Sequence, residues 1–354
     1  MRLLSPSAVT ADDLDAWNRL GECAIEANPF AEAAFVPTAV RALGAEHVQL
    51  LVAERDGEWI GCLPIEIRRV IGFPILASTW SHPYSFLGTP LVARDRIAEF
   101  AAELAASLRA AEHCRFLLLR TCGDGPVLAA LEAAAAEAGL APIFARRFER
   151  GAYEGRDEEE ELNWMKSRHS KLRRARRKLE KDLDQEVVAR ETEAEAANVD
   201  AFLALESAGW KGEQGTAMAS DGGAAELFRG VCDEFRSRGR LLLRSLETTD
   251  GRVLAMTCEL SAGDVLFGFK AAYDEELRKY SPGIQLHVEN FGFFDAHRPE
   301  RIFDSCGAPD SETINSLWPE RRPLATVAIG RRGAMGKTVG RALERAHQTR
   351  SGTA

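Results

Sequence analysis

The sequence predicts an α/β (α+β) protein made of two similar units in tandem, each a mixed, mostly antiparallel sheet flanked by helices. Three observations carry this expectation. Helical and strand-like patterns alternate along 354 residues, more than one domain of roughly 100–200 residues holds. Two hairpins, LLVAERDGEWIGCLPIEI and LLRSLETTDGRVLAMTCEL, share one layout of apolar strand, charged end, Asp-Gly and second apolar strand. Asp-Gly between apolar runs is a strong hairpin signal, because both turn positions tolerate positive φ. Each hairpin lies downstream of helical segments and upstream of further strands and a helix, as a duplicated unit requires. Third, Gly263–Phe294 reads as a strand, a polar loop and an amphipathic helix.

The first half begins with a helical pattern over 12–27, with Leu14, Trp17 and Leu20 on one face. Asn28-Pro29-Phe30 breaks it, and Val36–Leu43 begins another helix. The first hairpin turns at Asp56-Gly57. Residues 71–92 are rich in Pro, Gly and aromatics, which predicts an ordered loop with short strands. A loop of that length in a compact domain is more often functional than idle. An Ala-rich helix from Asp95 to His113, the strand RFLLLR, a helix from Gly125 to Ala138 and a strand Pro142–Phe148 complete this half. The acidic run EGRDEEEE at 154–161 marks a boundary, giving units 1–155 and 162–348.

The second half opens on a basic helix. Between Lys166 and Lys181 there are nine Lys or Arg and a single acid, Glu180. Arg173, Arg174, Arg176 and Arg177 wrap most of the circumference and leave Leu172, Ala175 and Leu179 to bury. Like charges so placed repel one another, so this is either a solvated face or the seat of an anionic partner. A strand Glu186–Arg190, a helix Val199–Ala208, the loop GWKGEQGTAM and a helix Gly223–Arg238 lead into the second hairpin, which turns at Asp250-Gly251. The strand Val265–Ala271 follows, then a helix from Pro282 with Ser281 as N-cap. RIFDSCG reads as a short buried strand, SETINSLW as a short helix, RRPLATVAIG as a final strand and Met335–His347 as a surface helix.

Composition excludes several classes. A net charge of −9 argues against general nucleic-acid affinity over the whole surface. The N-terminus has no apolar core of signal-peptide length, and no run approaches the ~18 apolar residues of a membrane span. The seven cysteines are dispersed, with no C-x-x-C pair. That pattern reads as reduced thiols in a cytoplasmic protein without structural zinc.

The chemistry centres on Gly263–Phe294. The N–H groups behind Ser281-Pro282-Gly283, with the helix dipole, form a site for an anion such as a pyrophosphate, and hence for an activated acyl donor. Acyl transfer to an amine needs stabilisation of the oxyanion and removal of a proton. Lys270, ending an apolar strand, suits the first role; alternatively it snorkels to water. Tyr273 can protonate a leaving thiolate or pack its ring over the loop. Asp274 touches substrate or turns the loop. His287 lies on the side of Ile284 and Phe291, either as a satisfied, partly buried ring or as a substrate contact. Asp304 ends a buried strand, either as a base or as a cap for the helix near Ser311. Cys306 is the one thiol near this site. Trp210 and Lys211, beyond Glu206, line an acceptor site or anchor a loop.

The stretch from about 165 to 320 resembles the CelD/BcsL-like acetyltransferase family, part of the GNAT superfamily and related to the FemABX-type aminoacyl transferases. The resemblance rests on SKLRRARRKLEKD, ESAGWKGEQGTA, GFKAAYD and YSPG, in this order. It implies two tandem GNAT-like units: a degenerate one over 1–155, and an acyltransferase over 162–348. It implies acyl-CoA, in particular acetyl-CoA, as co-substrate, no metal, and an amine acceptor on an envelope or exopolysaccharide precursor. GNAT enzymes seat the pyrophosphate at a pattern like Q/R-x-x-G-x-G/A, of which Arg278–Gly283 keeps one Gly. The implied catalytic residues are Lys270, Asp304 and Tyr273. Phe269, Tyr280, Ser281, Gly283 and Ile284 would hold the cofactor; Trp210, Lys211, Asp274, Arg173, Arg177 and His287 would face the substrate. FemABX-type relatives draw their acyl group from aminoacyl-tRNA and carry a Phe-Lys pair similar to Phe269-Lys270, so tRNA is an alternative partner. Two readings need no such donor: a non-catalytic adaptor binding a polyanion through the 166–181 helix, and peripheral membrane contact.

Overall fold

A computed structural model describes residues 1–70, 73–155, 170–209, 217–309 and 311–331. The chain divides into two compact units, Met1–Arg150 with Arg322–Ala354, and Gly151–Arg321. The fold is mixed α/β, with mostly antiparallel sheet flanked by helices.

In the first unit the strands are β1 (Arg2–Leu4), β2 (Gln49–Arg55), β3 (Glu58–Val70), β4 (Phe73–Thr79), the short β5 (Leu91–Val92) and β6 (Phe116–Gly123). β1 to β4 pair antiparallel in sequence order, and β4 pairs β6 in parallel. Asp56 and Gly57 both take positive φ at the β2–β3 turn, as Asp-Gly predicts. The helices Ile97–Ala110 and Pro126–Glu137 lay Phe100, Leu104, Leu108, Leu128 and Leu131 over Leu117 and Leu119 of β6.

The first helix is Ala11–Cys23, started by a capping box between Thr10 and Asp13. Its buried face is Ala16, Trp17 and Leu20, whereas Leu14, expected inside, is 38% exposed. The indole N–H of Trp17 donates to the Ala31 carbonyl at 2.9 Å, and this bond sets the rotation of the helix.

β7 (Leu140–Glu154) carries the chain into the second unit. There β8 (Val187–Thr192), β9 (Leu241–Thr248), β10 (Val253–Ala262), β11 (Val265–Tyr273) and β12 (Ile302–Asp304) join the end of β7 in the order β7-β12-β11-β10-β9-β8. All these pairs are antiparallel except β11–β12. The helix Pro282–His297 covers one face, over Leu242, Leu246, Leu254 and Leu266. On the other face the helices Ala196–Ser207 and Gly222–Ser237 bring Phe202 and Phe228 into a stack that ends on Phe269. β13 (Glu320–Arg331), which chain order assigns to the second half, leaves it. From Leu324 to Gly330 it pairs antiparallel with β6.

The described part of the basic helix is Ser170–Leu183. Trp210, Lys211, residues 161–169 and the Met335–His347 helix lie outside the described residues.

Candidate active site

β11 and β12 meet at three residue pairs, Val265–Ile302, Leu266–Phe303 and Phe267–Asp304. β12 stops at Asp304, while β11 runs on to Tyr273. Beyond Phe267 the β11 edge that faced β12 has no strand partner among the described residues. On its other edge β11 registers Gly268 with Glu259 and Lys270 with Cys258, so Phe269 is an extra, bulged residue. Bulges re-aim side chains and are common beside active sites. Here the bulge turns the Phe269 ring into the core against Phe228, 5.9 Å between centroids. The ring of Phe269, expected at the cofactor, is thus taken up by the core. Gly268 is needed for close approach, since a Cβ there would stand 3.0 Å from the Ser305 carbonyl oxygen. Lys270 follows the bulge and is half-buried.

The chain then turns through a 3-10 helix, Glu275–Tyr280, into the helix Pro282–His297. Asp274 caps the 3-10 helix by accepting from the Glu276 N–H at 3.0 Å, and pairs with Arg252 at 2.7 Å. Both contacts hold the turn together. Tyr280, expected at the cofactor, is buried with Leu179, Leu246 and Leu254, and its hydroxyl bonds to the Asp182 carboxylate.

Ser281 precedes the helix but does not cap it with its side chain. It sits at φ 55° and ψ 53°, and its hydroxyl accepts no bond from the first turn. Side-chain capping requires an extended Ncap residue; the left-handed conformation forfeits it. The first intrahelical bond is Gln285 N–H to the Ser281 carbonyl at 3.0 Å. The N–H groups of Gly283 and Ile284 thus remain uncapped by side chains at the positive end of the helix dipole. Tyr273 lies over this turn, where a Cβ at Gly283 would come within 3.3 Å of its ring. Burial, then the neighbouring Glu275, push the Tyr273 phenol up, so it keeps its proton at neutral pH. Tyr273, Ser281, Gly283 and Ile284 are brought together where β11 runs into this helix, whereas Lys270 pairs with Cys258, whose thiol lies against Cys232 on the other face of the sheet.

Asp304 is fully buried at the end of β12 and its Oδ1 accepts the Cys306 N–H at 2.9 Å. It does not cap the next helix; Ser311 does that itself, accepting from Ile314. Cys306 stands at φ 50°, and Gly307 donates to the Ser305 hydroxyl at 3.1 Å. The turn 304–307 is therefore a built structure lying against Gly268.

His287 departs from the satisfied ring expected of it. Its Nδ1 is enclosed and has no hydrogen-bond partner among the described residues, and the ring meets Trp318 edge-on at 6.1 Å. Burial lowers its pKa to about 4, which keeps it neutral. Gly209, just before Trp210 and Lys211, packs on Glu275, with 2.6 Å from its notional Cβ to that side chain.

Sequence reading missed a polar cluster beneath the Pro282–His297 helix. Arg244 Nε donates to Asn290 Oδ1 at 3.1 Å, and Asn290 Nδ2 donates to Thr257 at 2.9 Å and to Glu259 Oε1 at 3.3 Å. Glu259 Oε2 is buried without a partner among the described residues, and burial raises this carboxyl to about 8. The available signal was parity: Arg244, Thr257 and Glu259 fall on the inward face of a paired hairpin.

The first unit also has one parallel pair among its described strands, β4–β6, joined at Leu76–Phe116, Ala77–Leu117 and Ser78–Leu118. Where these strands part, the protein's own loop fills the gap. A Cβ on Gly88 would stand 2.2 Å from the Arg120 carbonyl oxygen and 2.7 Å from Thr79 Cγ2. Gly88 N–H donates to the Thr121 carbonyl at 3.0 Å, and Thr89 Oγ1 accepts the Gly123 N–H at 2.8 Å. The Asn28 amide holds the carbonyls of Leu87 and Thr89 at 3.3 and 2.7 Å. The long aromatic loop serves here as a plug.

On the basic helix, Arg173 and Arg177 are exposed. Arg176 turns inward and donates to Gln285 at 2.5 Å, to the Val187 carbonyl at 2.7 Å and to Glu289 at 3.1 Å. It anchors the helix instead of widening its charged face.

Residues 166–309 match the acetyltransferase (GNAT) domain family. The chain is similar in fold to the crystal structure of FemX, at 11% identity and a TM-score of 0.61, covering 97% of this chain and 100% of that one. It is similar to the C-terminal domain of a putative lysylphosphatidylglycerol synthetase from Agrobacterium fabrum, at 13% identity and a TM-score of 0.55, with 95% and 96% covered. The L-PGS structure from Bacillus licheniformis matches at 10% identity and a TM-score of 0.54, with 95% and 98% covered. Identities this low speak to the fold alone. No curated protein matches the chain.

Proposed function

We propose that this acyltransferase, whose residues 166–309 form a GNAT-type acetyltransferase domain, moves an acyl group from acyl-CoA, acetyl-CoA in the first instance, to an amine. The observation that carries the reading is the parting of β11 from β12 beside the uncapped start of the Pro282–His297 helix. An unpaired strand edge offers backbone donors and acceptors to an extended ligand, and the acyl-pantetheine arm is such a ligand. Its pyrophosphate would rest on the N–H groups of Gly283 and Ile284.

In the transfer, the acceptor amine attacks the thioester carbonyl, the C–S bond breaks, and the thiolate leaves with a proton. Lys270 would stabilise the oxyanion, and the protonated Tyr273 would donate to the thiolate. Asp304 would receive the amine's proton, its Oδ1 fixed by Cys306. The family resemblance points to an amine on an envelope or exopolysaccharide precursor, handled in the cytoplasm. No described helix is long and apolar enough to cross a membrane.

Calorimetric titration with acetyl-CoA tests the donor. One site per chain supports it; no heat at high micromolar concentration, with binding to charged tRNA, replaces it by aminoacyl-tRNA-dependent transfer. The exposed cations of the basic helix favour that second reading. It requires charge reversal at Arg173 and Arg177 to abolish transfer, with steep salt dependence. Arg176 has no place in that comparison because it holds the fold. An adaptor without catalysis is recognised by full cellular function in Lys270→Ala.

A further inference from the structure

We propose that the outward face of the helix Ser170–Leu183 docks the protein on an anionic membrane surface. Six cations, Lys171, Arg173, Arg174, Arg177, Lys178 and Lys181, are exposed on this helix. At 3.6 residues per turn they fall within an arc of roughly 160°. The buried residue Leu179 and the inward-turned Arg176 lie opposite the middle of that arc. None of the six is held in an ion pair among the described residues.

The two acids of the same stretch sit at the borders of the arc and are engaged elsewhere. Glu180 accepts from the Val187 N–H at 3.4 Å, and Asp182 bonds to the Tyr280 hydroxyl. The result is a one-sided cationic ridge on a protein of net charge −9.

The chemistry of the ridge selects its partner. Clusters of four to eight Lys or Arg on an amphipathic helix are attracted to acidic headgroups, each contributing independently near the surface. The exposed arc holds no aromatic side chain on which an unpaired base could stack. It holds no large apolar one to insert, so the helix would adsorb at headgroup level without embedding. A planar partner meets this face alone, whereas a nucleic acid that wraps the body would meet its acidic remainder. Arg176 fixes the ridge to the Pro282–His297 helix and Asp182 fixes it to the 3-10 helix before it, so docking would hold the candidate site at a set orientation to the bilayer. The proposal rests on this surface and stands apart from the identity of the acyl donor.

The test is co-sedimentation of the full chain with vesicles of phosphatidylcholine alone, and with one-third phosphatidylglycerol, at low and high salt. Binding is expected only to the acidic vesicles and is lost at high salt. Arg174→Glu with Lys178→Glu, checked for an unchanged melting curve, is expected to weaken it by about tenfold or more. Three results overturn the proposal: no sedimentation with acidic vesicles, equal binding by the charge-reversed chain, or retention of tRNA without vesicle binding. The last would assign the ridge to RNA.

Discussion

Glu259 is buried beneath the Pro282–His297 helix with one carboxylate oxygen unpartnered among the described residues, and its titration should govern how the fold responds as pH rises from 4.5 to 8. Burial raises its pKa from 4.5 to about 8, against smaller opposing pulls from Thr257, Arg244 and Arg298. Arg244 fails to hold it down because its Nε bond goes to Asn290 rather than to the carboxylate. Between pH 4.5 and 8 the folded protein therefore keeps a proton that the unfolded chain has lost. Stability must fall as pH rises through that window and level off above it. At ~1.4 kcal/mol per pKa unit the full shift corresponds to about 5 kcal/mol. Relaxation and water entry around the Arg244–Glu259 pair reduce this to about 2–4 kcal/mol. Glu259→Gln keeps an acceptor for Asn290 and removes the titration. Urea unfolding at pH 5, 7 and 9 should show a falling midpoint in the natural chain and a flat one in the variant. Equal pH dependence in both would refute the assignment of this proton to Glu259.

Other consequences are independent of that one. Because burial lowers His287 to about 4 from 6.5, its contribution is complete above pH 6.5 and is lost progressively as pH falls to 4. Acid unfolding of His287→Leu should lack a component of about 3 kcal/mol. Arg176→Ala removes three hydrogen bonds from a guanidinium that is mostly enclosed, and should destabilise by about 2–3 kcal/mol. Arg173→Ala should stay within about 0.5 kcal/mol in the same denaturant titration. Gly88→Val drives a branched side chain into the Arg120 carbonyl, and a loss of more than ~3 kcal/mol, read as a drop in melting temperature, is expected.

Much of this architecture was legible in the sequence because its signals are local. The Asp-Gly hairpins, the apolar strands of the second unit and the Pro282 helix all follow from neighbouring residues. What escaped depends on contacts distant in sequence. β13 joins β6 across about two hundred residues of chain, and its apolar alternation fits either unit equally. Ser-Pro-Gly reads as a capped helix start. Yet Tyr280, anchored to Asp182, fixes the preceding 3-10 turn and leaves Ser281 left-handed. A run of arginines carries no mark of which one turns inward; Gln285, Glu289 and the Val187 carbonyl decide that for Arg176. The strand and helix of the candidate site could be read directly. The gap between β11 and β12 became visible only with the register of the sheet, as did the Gly88 plug in the first unit.

The central claim is that a phosphorylated acyl donor lies in that gap with its pyrophosphate at Gly283 and Ile284. Titration calorimetry with acetyl-CoA on the natural chain and on Ser281→Asp tests it most directly. Aspartate tolerates the left-handed conformation and suits a helix start, so the fold should hold while its charge opposes the phosphates. One site per chain, weakened about tenfold or more by the variant, is the predicted result. Undiminished affinity in Ser281→Asp, or no binding of acetyl-CoA by the natural chain, would contradict it.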